Sequence, residues 1–219
     1  TYIHTYMHTY ARTHAPHIEL TIRAHTAFGP QSKNDLKPAV DDCLKLSIVG
    51  DCSKGVHGPI GQWDVSRVTD MSAMFSGAKS FNQDLSKWNV QKVYSMSWMF
   101  SQAHVFNQDL SKWNVRKVAS MQGMFSGASG FNGDLSEWDV SQVTSMQSMF
   151  HGASAFNGDL STWDVGKVTN MQGMFYQASV FNADLFEWDV SQVINMRGMF
   201  YQASAFNGDL SEWTVDQVT

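Results

Sequence analysis

Residues 85–109 read LSKWNVQKVYSMSWMFSQAHVFNQD, and the same pattern returns every 25 residues. Tryptophan falls at 63, 88, 113, 138, 163, 188 and 213, and only Trp98 stands outside that series. Twelve of the thirteen methionines form two further series, Met71 to Met196 and Met74 to Met199. Phenylalanine adds two more, Phe75 to Phe200 and Phe81 to Phe206. One unit is therefore L-x-x-W-x-V-x-x-V-x-x-M-x-x-M-F-x-x-A-x-x-F-N-x-D, and a little over six units run from Trp63 to Thr219 without insertion or deletion. A fixed period of this length implies a repeat solenoid, in which each coil buries its apolar face only against its neighbours.

Within the unit, Leu85, Trp88 and Val90 give L-x-x-W-x-V. The spacing of two between Trp88 and Val90 predicts one short strand, and successive strands are expected to stack in parallel at about 4.8 Å. Val93, Met96, Phe100 and Ala103 recur at three and four, which predicts a short helix or 3₁₀ turn. Asp70, Asn170 and Asn195 stand where a side-chain oxygen caps such a helix, and Gly77, Gly127 and Gly152 stand where it would end.

The Met-Phe pair followed by Ala, then Phe-Asn-x-Asp-Leu-Ser-x-Trp, resembles the repeat of BspA-like leucine-rich-repeat surface proteins, over residues 63–219. The resemblance implies a leucine-rich-repeat-like arc. It also implies a role in surface attachment or protein binding, and a cell-surface or secreted location.

The flanks differ in kind. Residues 31–62 read as an N-terminal cap carrying one amphipathic helix over 34–46, with Leu36, Val40, Cys43 and Leu44 on one face and Ser32 or Asn34 as its cap. This helix is expected to cover the first coil's core. Cys43 and Cys52 flank the following turn, as a disulfide or as two free thiols. Residues 1–30 read as a disordered or non-native segment. Within them, Thr1 to Ala15 can be written in codons that form one alternating purine–pyrimidine run, as from a translated simple DNA repeat. The rival reading is metal binding by His4, His8, His14 and His17, but no cap or apolar stripe supports the helix it needs. The chain shows no signal peptide after Thr1. Its stop at Val218-Thr219, short of the next Met-Phe turn, is read as part of a longer array or as an end that associates with another chain.

Composition narrows the function. Fifteen Lys+Arg against twenty Asp+Glu give a net charge of −5, which argues against a general nucleic-acid binder. No apolar run is long enough for a membrane span. The repeats contain no cysteine and only His104 and His151, nearly two coils apart, so no nucleophile, base and orienting group converge. Neither an enzyme nor a cofactor or metal is expected. Asn82-x-Asp84 and its copies have calcium-type oxygens, but each coil offers few of the six to eight required. A structural ladder is favoured, with Asn closing the turn and Asp accepting nearby N–H groups.

The expected function is a non-enzymatic protein-binding or surface-adhesion module that presents its strand face. The alternative is a structural spacer or a subunit of a polymeric surface layer. Outward strand positions include Arg67, Lys87, Lys92, Lys112, Arg116 and Lys117 in early coils. In later coils they include Glu137, Asp139, Asp164, Glu187, Asp189 and Glu212. Residues 63–125 carry seven basic and four acidic groups, a balance of +3, whereas 126–219 carry two and eleven, a balance of −9. A partner of complementary polarity follows, whether a protein, a surface polymer or another copy head to tail. His151, Tyr176 and Tyr201 share one repeat position and form a second candidate, an aromatic stripe.

Overall fold

The structure, a computed structural model, describes residues 28–219. The segment Thr1 to Ala15 and His4, His8, His14 and His17 lie outside the described residues. Of residues 1–30, Phe28 is packed. Its ring lies 3.8 Å from that of His57 and 5.1 Å from that of Trp63, and its carbonyl accepts from Asp64 N–H.

One α-helix follows, α1 over Lys33–Leu46. Ser32 caps it by accepting from Asp35 N–H, and Leu36, Ala39, Val40 and Cys43 are its buried residues. α1 lies along the first coil. Lys33 Nζ reaches Asp70 at 3.3 Å and the Ser72 hydroxyl, while Leu44 sits beside Ser76–Lys79. Cys43 and Cys52 are joined in a disulfide with their Cα atoms 5.4 Å apart, which pins the turn after the helix.

From Ile60 onward the chain winds into stacked 25-residue coils made almost wholly of turns. The expected strand and helix of each coil are absent: among the described residues only α1 and a 3₁₀ turn over Ile60–Gln62 are regular, and no paired strand forms. Coils meet in parallel one residue at a time, through the bridges Asp70–Ser95–Ser120–Ser145–Asn170–Asn195. These bridges precede the first methionine and do not involve the Trp-x-Val segment. The leucine-rich-repeat-like strand solenoid is therefore corrected to a turn-built stack.

Side-chain oxygens explain the absence of regular elements. Where one unit passes into the next, Asp109 Oδ1 accepts from Ser111 N–H at 2.8 Å, and after Trp113 Asn114 Oδ1 accepts from Arg116 N–H at 3.3 Å. Asp70, Asn170 and Asn195, expected as helix caps, each accept from the N–H two residues on. Such bonds offer the backbone a tight turn in place of a ladder or a helix. Where the spacing of three and four suggested a helix, backbone bonds alternate in direction. Met124 N–H donates back to Met121 at 3.1 Å, but Met121, Gly123, Phe125 and Gly127 donate forward to carbonyls of the next coil, at 2.6 to 3.1 Å. The alternation is accompanied by left-handed backbone at two positions per coil. One of them holds Ala73, Trp98 and Ser148 with φ of 57°, 60° and 54°, a conformation in which an α-helix cannot continue.

The core is the set of ladders. Trp88, Trp113, Trp138, Trp163 and Trp188 are buried, and each Nε1 donates to the carbonyl 28 residues earlier, as Trp138 does to Leu110 at 3.0 Å. Phe100 stacks on Phe106 of its own coil at 4.0 Å and on Phe125 of the next at 5.7 Å. Such ring pairs contribute about 0.5–1.5 kcal/mol each beyond burial. Asn82 Oδ1 accepts from Asn107 N–H at 2.9 Å, and the pattern repeats to Asn207. The asparagines thus tie one coil to the next, not the ends of their own turn.

Candidate binding surfaces

Each coil turns two polar faces outward, and the turns decide which side chains reach them. Around Leu–Val, the core takes Leu, Trp and both valines, so the residues between them project. Lys87, Lys112, Glu137, Glu187 and Glu212 occupy one column along the stack, and Asp139, Asp164 and Asp189 a second. Arg67, Lys92 and Lys117 form a third, with Arg116 adjoining it. All twelve are exposed, although on turns, not on a strand. Ion pairs among the described residues all involve a lysine of α1: Lys33–Asp70, Lys37–Asp41 and Lys45–Asp42. The twelve face solvent without a paired counter-charge there.

The columns nonetheless feel one another. Asp139 is held below the usual carboxylate range first by the Ser141 hydroxyl and N–H, then by the positive charges of Arg116 and Lys167 in neighbouring coils. Asp84 and Asp109 are lowered by the hydroxyl and N–H of Ser86 and Ser111, and Asp134 and Asp159 by the N–H and hydroxyl of Ser136 and Ser161. These Asp side chains are occupied in fixing turns. Among the described residues, no group of three or more His, Cys, Asp or Glu is placed to hold a metal ion.

On the Met-Met-Phe side, His151, Tyr176 and Tyr201 do come together. Their rings follow one another at 4.8 Å, and His151 Nδ1 lies 3.5 Å from the Ser126 hydroxyl. Partial burial lowers the His151 pKa. Sequence reasoning missed other side chains on the same stretches of the coils: Tyr94, 53% exposed, and the amides Gln122, Gln147 and Gln172. Column-by-column reading of the period would have found them. It also passed over the apolar edge of the cap, where Leu46 and Ile48 are 70% exposed and Val56 90%.

The molecule is thus a repeat protein whose 25-residue coils share one core and display side chains in columns. A family model described as "Mycoplasma protein of unknown function, DUF285" matches residues 46–156 and 131–219, and the chain belongs to that family. No curated protein matches the chain. No helix among the described residues is long and apolar enough to cross a membrane.

Proposed function

We propose that the chain is a non-enzymatic module for protein binding or surface adhesion, with the charged columns as its contact face. The observation that carries this is the reversal of sign along the stack: Lys87 and Lys112 give way to Glu137, Glu187 and Glu212 in one exposed column, without ion pairing among the described residues. Like charges on adjacent coils stand at about the 6.4–6.5 Å that separates Trp163, Trp188 and Trp213 in the neighbouring column, and their repulsion is relieved by a partner of opposite sign. A plain spacer has no use for such segregation. The resemblance to BspA-like surface proteins and the Cys43–Cys52 disulfide support an extracellular or surface location, since disulfides persist in oxidising compartments. The partner is a protein, a surface polymer, or a second copy docked acidic end to basic end.

Sedimentation and surface-binding measurements on the full chain test this. Association, with itself or with surface proteins it retains, is expected to weaken strongly between low salt and about 0.5 M salt as the Debye length shrinks. Glu187→Lys with Glu212→Lys is expected to weaken it far more than Lys79→Glu, which lies outside the columns. Salt-independent binding, or equal effects at both places, overturns the reading.

A further inference from the structure

The opposite face has a different chemistry. In coils two to six it is formed by residues 94–102, 119–127, 144–152, 169–177 and 194–202, and these stretches hold one Lys, Arg, Asp or Glu, namely Arg197. At the chain's 16% charged share, about seven would be expected in so many residues. Among the outward positions, Ile194 is the single branched aliphatic residue. What remains is aromatic rings, amides, hydroxyls and glycine.

These groups are ordered. Gln122 Nε2 donates to Gln147 Oε1 at 3.2 Å, Asn170 donates to the same oxygen at 3.3 Å, and Asn195 donates to Gln172 Oε1 at 3.2 Å. Next to this amide row runs a line of small residues, Gly123, Ser148, Gly173 and Gly198. Beyond it stand the rings of Tyr176 and Tyr201, the latter 55% exposed. Trp98 closes the line at its early end. Its six-membered ring occupies the place where a β-carbon of residue 123 would sit, so glycine there is what lets the indole lie over the next coil while staying 37% exposed.

We propose that this face, with Trp98 and Tyr201 as stacking rings and Gln122, Gln147 and Gln172 as hydrogen-bonding amides, binds a neutral polysaccharide chain running along the stack. The C–H faces of a sugar pack on aromatic rings, which carry large contact area at little entropic cost. Sugar hydroxyls both donate and accept, as amides do, whereas a charged ligand finds almost no counter-charge here. A pyranose unit is about as long as the 4.8 Å that separates successive rings on this face, so a chain of sugars keeps register with the columns.

The test is calorimetric titration of the full chain with cellohexaose, chitohexaose and laminarihexaose. At least one is expected to bind, with the same affinity at low salt and at about 0.5 M salt. That insensitivity separates this site from the charged columns, whose failure or success is read by salt dependence. Trp98→Ala and Tyr201→Ala are each expected to weaken binding about three- to tenfold, with Gln147→Ala as a third probe, in variants whose melting temperature is retained. Glu187→Lys with Glu212→Lys is expected to leave it unchanged. No binding of any of the three sugars at millimolar concentration overturns the proposal. So does loss on charge reversal, or a protein ligand whose capture depends on Trp98 where the sugars do not bind.

Discussion

Replacing Trp138 by alanine probes what joins the coils. The indole is 3% exposed and its N–H is given to the buried carbonyl of Leu110 at 3.0 Å. Removing the ring gives up about 4–6 kcal/mol of gross apolar transfer, from some 150–250 Å² at ~25 cal/mol/Å². Relaxation of the coils recovers part of this, and the Leu110 carbonyl keeps the Trp113 N–H at 3.0 Å, so loss of its second donor adds only about 0.5–1.5 kcal/mol. The expected net loss is about 3–5 kcal/mol, the range for large aromatic truncations in cores. Trp138→Phe loses the indole N–H bond and part of the ring area, so about 1–3 kcal/mol is expected from the two together. Trp213 makes the same bond, to Leu185 at 3.0 Å, but is only half-buried in the last coil, so Trp213→Ala should cost about half as much as Trp138→Ala. Urea unfolding followed by circular dichroism gives the three values. A loss under about 1 kcal/mol at Trp138, or equal losses at Trp138 and Trp213, refutes a core of tryptophans bonded coil to coil.

Three further outcomes follow from the turns and the cap. Asn132→Ala removes the oxygen that accepts Asn157 N–H at 2.9 Å and should cost about 1 kcal/mol, whereas Asn207→Ala, whose side chain receives no such bond among the described residues, should cost close to nothing in the same titration. Asp84, Asp109, Asp134 and Asp159 all have folded pKa values below the ordinary range, because Ser hydroxyls and N–H groups bond the charged form. Their contribution is present above the unfolded value, about 4, and is lost as pH falls through the folded values, so melting temperature should be level from about pH 5 to 8 and drop below about pH 4. A melt unchanged at pH 3 contradicts this. Reducing Cys43–Cys52, which closes a loop of sequence separation 9, should lower stability of the cap by about 2–3 kcal/mol in melts with and without dithiothreitol. An unchanged melt would show that the disulfide does not stabilise it.

The period made the core legible. Trp, Met and Phe at fixed offsets are buried in coil after coil because stacking gives each column one environment. The secondary structure was not legible, and Met96-x-x-Met99-Phe100 shows why. Three-residue turns repeat there, as Met99 N–H donating to Met96, and their spacing imitates a helix. What breaks the helix is left-handed backbone at Trp98 and Gln102, side chains that carry no local signal for it. The backbone coil-to-coil bonds join residues 24 to 26 apart, beyond any local pattern. Asp70, Asn170 and Asn195 were rightly read as acceptors of backbone N–H, but the bonds close turns and not helix ends. For the sites, exposure of the charged columns followed from sparing Leu, Trp and Val. The resting of Trp98 on Gly123 needed coordinates, because it depends on two coils meeting.

Along the Met-Met-Phe stretch the coil-to-coil bonds point forward, and amide hydrogen exchange by NMR reads this most directly. Met121, Gly123, Phe125 and Gly127 give their N–H groups to the following coil, as do Met171, Gly173, Phe175 and Gln177. Met196, Gly198, Phe200 and Gln202 occupy the same repeat positions and find no backbone acceptor among the described residues. The amides of the first two sets should exchange only through unfolding of the stack, and those of the last set orders of magnitude faster in the same sample. Protection at 196, 198, 200 and 202 equal to that at 121–127, or rapid exchange at all three sets, would contradict coils joined along the Met-Met-Phe stretch by forward-pointing N–H groups.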